Sequence, residues 1–271
     1  MRDVDSGINR RNRRTVIGLS PATLRRRIST IRQFYDYLVG EGVCKRNPTR
    51  TDTNGIKKLI PALTDFPWIP TGEQWDRIVA IVAQRSLRDR TMFAIQYDGG
   101  LRKEELCSLR LSDIDHAAKT IHIRAETTKN RRARTVPYSD ATASVLIRYQ
   151  QSLPLSISDD ETFFRSNSTR NAGVPITIHT WTKVIAVIAH DAGLPQLHSH
   201  TLRHLCLTDL ARSGWDIIHI RNFAGHRSVR TTESYIQLSG RDLIEQYQAT
   251  LTGLHMQRAT ILALTFVENT K

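Results

Sequence analysis

The sequence His-Thr-Leu-Arg-His at residues 200–204 organises the second half of the chain, together with Gly225-His226 and Tyr235 downstream. A guanidinium group presents a planar fork of donors that matches two phosphate oxygens. An imidazole can donate a hydrogen bond or transfer a proton near neutral pH, and a tyrosine hydroxyl can attack phosphorus and be held as a covalent ester. One arginine, several histidines and a tyrosine in so short a span therefore predict a site for phosphate chemistry rather than a packing motif.

The composition predicts a globular protein whose partner is a polyanion. The chain has 271 residues, 39% of them apolar, which allows a sizeable core and favours two domains over one. Its formal net charge is +13, and residues 1–60 hold 14 Lys or Arg against 5 Asp or Glu. Nucleic acid is the commonest partner for such a field, although a basic face can also be merely solvated.

Cysteine usage and hydropathy indicate an intracellular protein. Cys44, Cys107 and Cys206 are odd in number and far apart, so we expect reduced thiols and no disulfide framework. No apolar run reaches the ~18 residues expected of a membrane span. The Arg-rich N-terminus is not followed by the apolar segment of a secretory signal. We therefore expect a cytoplasmic protein that does not enter a membrane.

Residues 1–62 predict a flexible basic arm followed by a helical segment. The run Arg-Arg-Asn-Arg-Arg at residues 10–14 is suited to phosphate contact but is unspecific. Ser20-Pro21 supplies an N-cap and a proline at the first helical position, and apolar residues then recur at helical spacing as far as Leu38. Arg25 and Arg32 lie seven residues apart on one flank, where they could contact DNA or simply be solvated.

The remainder of the chain predicts a second domain over residues 68–271, after a Thr-, Pro- and Lys-rich linker at 50–70. Helices are predicted from Thr71, from about Leu87 to Asp98, at 140–152 with Asp140 as the cap, at 178–191, up to Ser213 after the 200–204 motif, and at 217–223. Period-two alternation predicts neighbouring strands near 120–125 and 134–137. Residues 153–177 are predicted to be loop. The fold class is therefore mainly α with a small antiparallel sheet.

The motifs resemble those of the tyrosine recombinase family, which includes phage integrases and Xer-like proteins. H-x-x-R-H, then Gly-His, then Tyr nine residues after that histidine resemble the C-terminal half of the family pattern. Gly100-Leu101-Arg102, followed by Glu105-Leu106, resembles its first arginine motif, with Gly99 in place of the usual Thr. Ala224 stands where the family usually has Leu. Residues 19–48 resemble the end of the family's helical core-binding (SAM-like) domain, which here is apparently shortened.

The resemblance implies a site-specific recombinase or integrase that cuts and rejoins DNA through a 3′-phosphotyrosyl intermediate. The implied catalytic set, in family order, is Arg102, Lys129, His200, Arg203, His226 and the nucleophile Tyr235. Lys129 stands seven residues before the Val of a Val-Pro pair, and it would either protonate the leaving 5′ oxygen or only contact phosphate. Supporting roles would fall to Glu105, as a buttress for the arginine fork, and to His204, which is alternatively a buried structural histidine. The arginines predicted to clamp the DNA backbone beside Lys129 are Arg131, Arg132 and Arg134.

No metal or cofactor is expected. His198, His200, His204 and Cys206 are close in sequence, but zinc-like spacing requires a second ligand cluster that the sequence lacks. The implied partners are double-stranded DNA and further copies of the chain, as a tetramer on paired sites, or a related recombinase, acting at the nucleoid or on a mobile element. Two alternatives stay open at this point: a DNA-binding protein with an inactive catalytic domain, and a type IB topoisomerase that nicks and relaxes DNA.

Overall fold

The computed structural model describes residues 7–9, 14–16, 19–50, 67–128, 130–154 and 156–239. The chain divides into two compact units, Met1–Phe66 and Pro67–Lys271. Lys129, most of the arginine run at 10–14 and the linker residues 51–66 lie outside the described residues. Of the helices that are described, none has the length and apolar character needed to cross a membrane.

In its described residues the first unit contains one long helix and a short strand pair. Strand β1 (Gly7–Asn9) pairs antiparallel with strand β2 (Arg14–Val16), with Gly7 opposite Val16. The sequence predicted a flexible arm here, and the pairing was missed because strands of three residues are too short to show a period-two pattern. Helix α1 (Pro21–Gly40) follows as predicted, with the Ser20 hydroxyl accepting the Thr23 amide at 3.2 Å.

The turn after α1 is tied back to the helix by a buried amide. Asn47 is buried, and its Nδ2 donates to the Arg32 carbonyl at 2.9 Å and to Asp36 Oδ1 at 2.7 Å. The Arg50 guanidinium donates to both oxygens of the same Asp36 carboxylate at 2.9 Å. These contacts hold residues 47–50 against the helix.

The second unit is mainly helical with one small sheet, as the sequence predicted. Its helices are α2 (Gly72–Ala83), α3 (Leu87–Asp98), α4 (Lys103–Cys107), α5 (Asp140–Gln151), α6 (Ile178–Asp191), α7 (Ser199–Arg212), α8 (Ile217–Ala224) and α9 (Arg230–Ser239). The strands are β3 (Ile114–Asp115), β4 (Thr120–Ile123) and β5 (Arg134–Pro137), and single turns of 3-10 helix lie at Leu111–Asp113 and Ala125–Thr127.

Capping residues explain where these helices begin. At the start of α2 the Thr71 hydroxyl accepts the Gln74 amide and the Gln74 side chain accepts the Thr71 amide, which is the predicted capping box. The cap of α5 is Ser139 rather than the predicted Asp140, because the Ser139 hydroxyl accepts the Thr142 amide at 3.3 Å. Helix α9 was not predicted as a helix, and it carries Tyr235.

The sheet has the strand order β3-β4-β5, with both pairs antiparallel. Ile121 pairs with Ile114 on one side and Val136 on the other, and the side chains of Ile121, Ile123 and Val136 are buried. Alternation of buried and outward positions in β4 follows from the two-residue period of a strand. The two longer strands were predicted, whereas the two-residue strand β3 was not.

Helix α6 contributes a large side chain to the core of the second unit. Trp181 is fully buried, and its indole N–H donates to Gln96 Oε1 at 2.8 Å, so the polar atoms of both side chains are satisfied. The segment 153–177 lacks helices and strands, as predicted, yet it contributes Phe163 and Phe164 to the core. The Phe163 amide donates to the Leu109 carbonyl at 2.7 Å, which anchors the segment.

Candidate active site

Arg102 lies at the start of α4, where the double glycine places it. Gly100 adopts a φ of +55°, a conformation that glycine tolerates best, and a Cβ there would lie 3.1 Å from the Phe223 ring. Arg102 is the N-cap of α4, and its amide donates to Glu105 Oε2 at 2.9 Å. Its Nη1 donates to Glu105 Oε1 at 2.9 Å, and its side chain is 20% exposed. The Glu105 carboxylate therefore holds the Arg102 guanidinium in place, and part of that guanidinium is exposed to solvent.

Glu105 joins Arg102 to Arg134 of strand β5. The Arg134 guanidinium donates from Nη1 and Nη2 to the two Glu105 oxygens at 2.9 and 2.7 Å, and from Nε to the Phe223 carbonyl at 2.9 Å. The side chains of Arg134 and Glu105 are 7% and 0% exposed. The sequence predicted that Arg134 clamps the DNA backbone. In the structure all three nitrogens of its guanidinium donate to protein acceptors, and its contact with DNA stays a prediction.

The Glu105 carboxylate is ionised although it is buried. Burial by itself raises its pKa, but the hydrogen bonds and positive charge of Arg134, together with those of Arg102, outweigh burial and lower the pKa to about 2. The buttress predicted at Glu105 is therefore built as a charged clamp between two arginines. Pairing with Arg134 was not predicted, since the sequence gives no sign of which strand residue faces α4.

Arg203 lies on α7 and is 1% exposed. Its Nη1 donates to the Gly100 carbonyl, and its Nη2 donates to the Ala224 carbonyl at 2.6 Å and to His226 Nε2 at 3.0 Å. Burial, followed by the charges of Arg102 and Arg134, lowers the pKa of Arg203 to about 10, so it stays protonated at neutral pH. One guanidinium therefore ties the glycine turn before Arg102 to the Gly225-His226 turn after α8.

His226 is held in one tautomer by its two neighbours. Arg203 can only donate, so His226 Nε2 accepts, and the ring hydrogen lies on Nδ1, which is 3.0 Å from Thr232 Oγ1. Burial, followed by the charge of Arg203, lowers the pKa of His226 to about 3. Both ring nitrogens are engaged, and the imidazole is neutral.

Tyr235 lies on α9 with its ring between two histidine rings. Its ring centroid is 5.7 Å from that of His204 and 6.1 Å from that of His226, nearly parallel to the latter. Its hydroxyl lies 2.9 Å from His204 Nδ1, and the residue is 4% exposed. Burial raises the pKa of the Tyr235 hydroxyl, and the charges of Arg203 and Arg102 offset part of that rise.

His200 lies one helical turn before His204 and is exposed. The two rings meet edge to face with centroids 4.9 Å apart. The ring is partly enclosed by the site although the residue is exposed, and this partial burial, followed by the charge of Arg203, lowers the pKa of His200 below its ordinary value. The structure thus brings together Arg102, His200, Arg203, His226 and Tyr235 from the predicted catalytic set, with Glu105 and His204 beside them.

A hydrogen bond from Asn130 joins the β4–β5 turn to the site around His226. The sequence analysis did not identify this residue. Asn130 Nδ2 donates to the Gly225 carbonyl at 3.1 Å, beside His226. Arg131 and Arg132 of this turn are exposed, as a contact with DNA phosphates requires, whereas Lys129 is outside the described residues. Only the number and basic character of the turn residues could be read from the sequence, so nothing distinguished Asn130 from its neighbours.

Arg25 and Arg32 lie on α1, in the first unit. Arg32 is half-buried, and its Nη2 is 3.5 Å from the Thr49 carbonyl. Arg25 is also half-buried. Across the described part of the chain, no group of three or more His, Cys, Asp or Glu side chains is arranged to hold a metal ion.

The electrostatics of the second unit's cluster favour an anion. The guanidinium groups of Arg102 and Arg134 share the carboxylate of Glu105. Arg203 adds a third positive charge, bonded to two backbone carbonyls and to His226, and the adjacent imidazole of His226 is neutral. Positive charge therefore exceeds negative charge at a partly buried place, where such an excess is costly without a counter-ion. An oxyanion beside Arg102 would balance this charge.

Comparison with known proteins identifies the family. A profile of the phage integrase family matches residues 70–241. The tyrosine recombinase XerD of Lacticaseibacillus casei is 31% identical over 237 residues, which cover 85% of this chain and 77% of that protein. The chain belongs to the phage integrase family. It is a tyrosine recombinase, an enzyme of DNA strand transfer, as its three motifs predicted.

Further relatives and solved structures agree with this assignment. XerC of Thermodesulfovibrio yellowstonii is 30% identical over 240 residues, or 85% of this chain and 76% of that protein. The integrase of the Tn1549 transposon, solved in complex with a circular intermediate DNA, matches with a TM-score of 0.68 at 18% identity over 84% of this chain and 80% of its own. XerH bound to its difH substrate matches with a TM-score of 0.65 at 20% identity, over 85% and 68% of the two chains. These two structural likenesses confirm the fold of a tyrosine recombinase.

Replacing Glu105 by Gln in this recombinase should destabilise it by about 3–5 kcal/mol at pH 7, because the buried guanidinium of Arg134 and the partly exposed one of Arg102 lose their shared carboxylate charge. The folded pKa of about 2 lies below the ordinary value of 4.5, so the stabilisation is present above pH 4.5 and is lost as the pH falls toward 2. Urea unfolding of both proteins between pH 7 and pH 3 should therefore show a difference that shrinks below pH 4.5.

Glu104→Gln is the matched control, since the neighbouring Glu104 side chain is 51% exposed. It should change stability by no more than about 0.5 kcal/mol. A Glu105→Gln variant as stable as this control would contradict the charged clamp.

Proposed function

We propose that the chain carries out site-specific recombination by attack of Tyr235 on a DNA phosphodiester, with a 3′-phosphotyrosyl intermediate. The observation that carries the proposal is the position of the Tyr235 ring against His226, whose Nε2 accepts from the buried Arg203. A phenol beside a cationic cluster can act as a nucleophile toward phosphate while the cations hold the phosphate oxygens. The bond energy is conserved in the phosphotyrosyl ester, so a second strand's hydroxyl can religate without ATP.

Arg102 and Arg203 would bind the non-bridging oxygens of the scissile phosphate. Attack builds negative charge on the phosphorane, and charge-assisted bonds from two guanidinium groups neutralise it. Part of the Arg102 guanidinium faces solvent although it is bonded to Glu105. Arg203 donates three hydrogen bonds to protein acceptors, so two of its five N–H groups remain for the phosphate. His200 would donate a further hydrogen bond, and His226 would hold Arg203 in place.

Lys129 is proposed as the acid that protonates the departing 5′ oxygen. Its neighbours support the role: Thr128 is buried, and Asn130 is bonded to the Gly225 carbonyl beside His226. Arg131 and Arg132, both exposed, are proposed to contact the DNA backbone on either side of the nick.

The first unit is proposed as a DNA-binding clamp, with Arg25 and Arg32 of α1 toward phosphates. Its charge supports this role, since residues 1–60 carry much of the basic excess of the chain. Strand exchange needs two DNA sites and four strand cuts, so the proposed active form is a tetramer of this chain, or of this chain and a related recombinase, on paired sites. A double-stranded DNA substrate would place the enzyme in the cytoplasm, at the nucleoid or at the DNA of a mobile element.

Tyr235→Phe should abolish a covalent protein–DNA adduct. The probe is a library of duplexes with randomised sequence around a nick. Cleavage next to the nick releases a short fragment that carries the 5′ hydroxyl, so religation is prevented and the phosphotyrosyl ester is trapped. Adducts that survive denaturation are counted on gels, and their DNA is sequenced. Tyr138→Phe is the control, because the Tyr138 hydroxyl donates to the Asp115 carbonyl at 3.2 Å and has no proposed role in the reaction. It should keep adduct formation. An adduct that persists in Tyr235→Phe would mean another nucleophile.

Lys129→Ala should slow cleavage of an ordinary selected duplex by about 10²–10⁴-fold, the usual contribution of a positioned acid. The defect should largely disappear on the same duplex with a 5′-bridging sulfur, since a thiolate leaves without protonation. Arg131→Ala, the control, should lose affinity equally for both duplexes. If the sulfur substrate shows the full Lys129→Ala defect, Lys129 is only a phosphate contact.

A further inference from the structure

The hydroxyl of Tyr235 has one hydrogen-bond partner among the described residues, and that partner is His204. Oη lies 2.9 Å from His204 Nδ1, and the two rings are 5.7 Å apart with an angle of 36° between their planes. The contact joins two helices, α7 and α9, through the reacting oxygen of the proposed mechanism.

The other two histidines of the site are placed differently. His226 uses Nε2 to accept from Arg203 and Nδ1 to contact Thr232, so both of its nitrogens have partners. His200 touches the ring of His204 edge to face, one helical turn before it on α7. Within the described part of the chain, His204 is the imidazole that reaches the nucleophile.

The direction of the hydrogen bond follows from the chemistry of the two groups. A phenol is a stronger donor than a neutral imidazole N–H, and an imidazole nitrogen is a stronger acceptor than a phenol oxygen. Burial, followed by the neighbouring His200, lowers the pKa of His204 to about 3, so the ring is neutral. Tyr235 therefore donates to Nδ1, and the ring hydrogen of His204 lies on Nε2.

We propose that His204 is the general base of this recombinase, taking the proton of Tyr235 as the phenol attacks the scissile phosphate. The inference rests on the proposed function and deepens it. It gives His204 a proton transfer in place of the supporting or structural role that the sequence predicted for it.

The step balances without any further reagent. The Tyr235 Oη–H bond breaks and its proton goes to His204 Nδ1, while the Oη–P bond forms. The P–O5′ bond breaks, and the 5′ oxygen takes a proton from the acid proposed at Lys129. In religation a 5′ hydroxyl attacks phosphorus, and the His204 imidazolium returns its proton to Oη.

A weak base suits this reaction because the transfer occurs late. As Oη bonds to phosphorus, its hydrogen becomes strongly acidic, so even a poorly basic imidazole receives it readily. The bound phosphodiester also places a negative charge against Arg203 and Arg102, the cations that face Tyr235. The groups facing His204 are His200, His198 and Arg203, and the same negative charge would favour its imidazolium.

The test compares wild type, Tyr235→Phe, His204→Ala and His204→Asn on one nicked duplex selected by the wild-type enzyme from the randomised library. The measured quantity is the single-turnover rate of adduct formation at saturating protein, from pH 5 to pH 9. Asn places an amide oxygen near the position of Nδ1, so it keeps a hydrogen-bond acceptor without a basic nitrogen. Thermal unfolding and binding of the same duplex are measured for every variant.

His204→Ala and His204→Asn should both cleave about 10²–10⁴-fold more slowly than wild type at pH 7, with duplex affinity unchanged. The ratio of the wild-type rate to the His204→Ala rate should fall about tenfold for each unit by which the pH is raised, because hydroxide replaces the missing base. Ionisations common to both proteins cancel in this ratio, so a merely structural loss would leave it flat.

Each other outcome overturns part of the account. A wild-type rate in His204→Ala, or recovery of that rate in His204→Asn, would show that no proton acceptor is needed at this position. A slow His204→Ala enzyme with a ratio independent of pH would also overturn the proposal. Adduct formation by Tyr235→Phe would instead refute the proposed function, independently of the His204 result.

Discussion

The carboxylate of Glu105 is the interaction on which the site depends. It accepts from Arg102 at the start of α4 and from both terminal nitrogens of Arg134 on β5. Arg134 in turn donates to the Phe223 carbonyl near the end of α8. Three segments that are distant in sequence are thereby joined through one buried charge, and losing it would leave two guanidinium groups with no counter-ion in a poorly hydrated place.

Arg203 makes the second connection, and it adds to the positive charge that favours an anion at the site. Its guanidinium joins the Gly100 turn, the Ala224 carbonyl and His226, so the arginine that is proposed to bind substrate also fixes the loops around it. Because one carboxylate lies among three arginines, the cluster carries an excess of positive charge that an anion would balance. The excess positive charge would therefore favour binding of a phosphodiester. It would also stabilise the negative charge that develops on the phosphate in the transition state.

The sequence predicted most of the helices, because caps such as Thr71 and Ser20 and the recurrence of apolar residues are local signals. Its motifs also selected Arg102, Arg203, His226 and Tyr235, which the structure brings together. The burial of Arg134 could not be predicted from the sequence. Its partner Glu105 lies 29 residues away, and the contact between them depends on the register of strand β5. The Tyr235–His204 contact was equally hidden, since it requires α7 and α9 to pack together.

The most direct test of the account is a crystal structure of the covalent complex trapped on a nicked duplex. The account predicts a 3′ phosphate esterified to Tyr235 Oη, with nitrogens of both Arg102 and Arg203 within about 3 Å of its non-bridging oxygens. Glu105 should still bridge Arg102 and Arg134 in that complex. A phosphate bound elsewhere, or held at Tyr235 with either Arg102 or Arg203 turned away from it, would contradict a single convergent site.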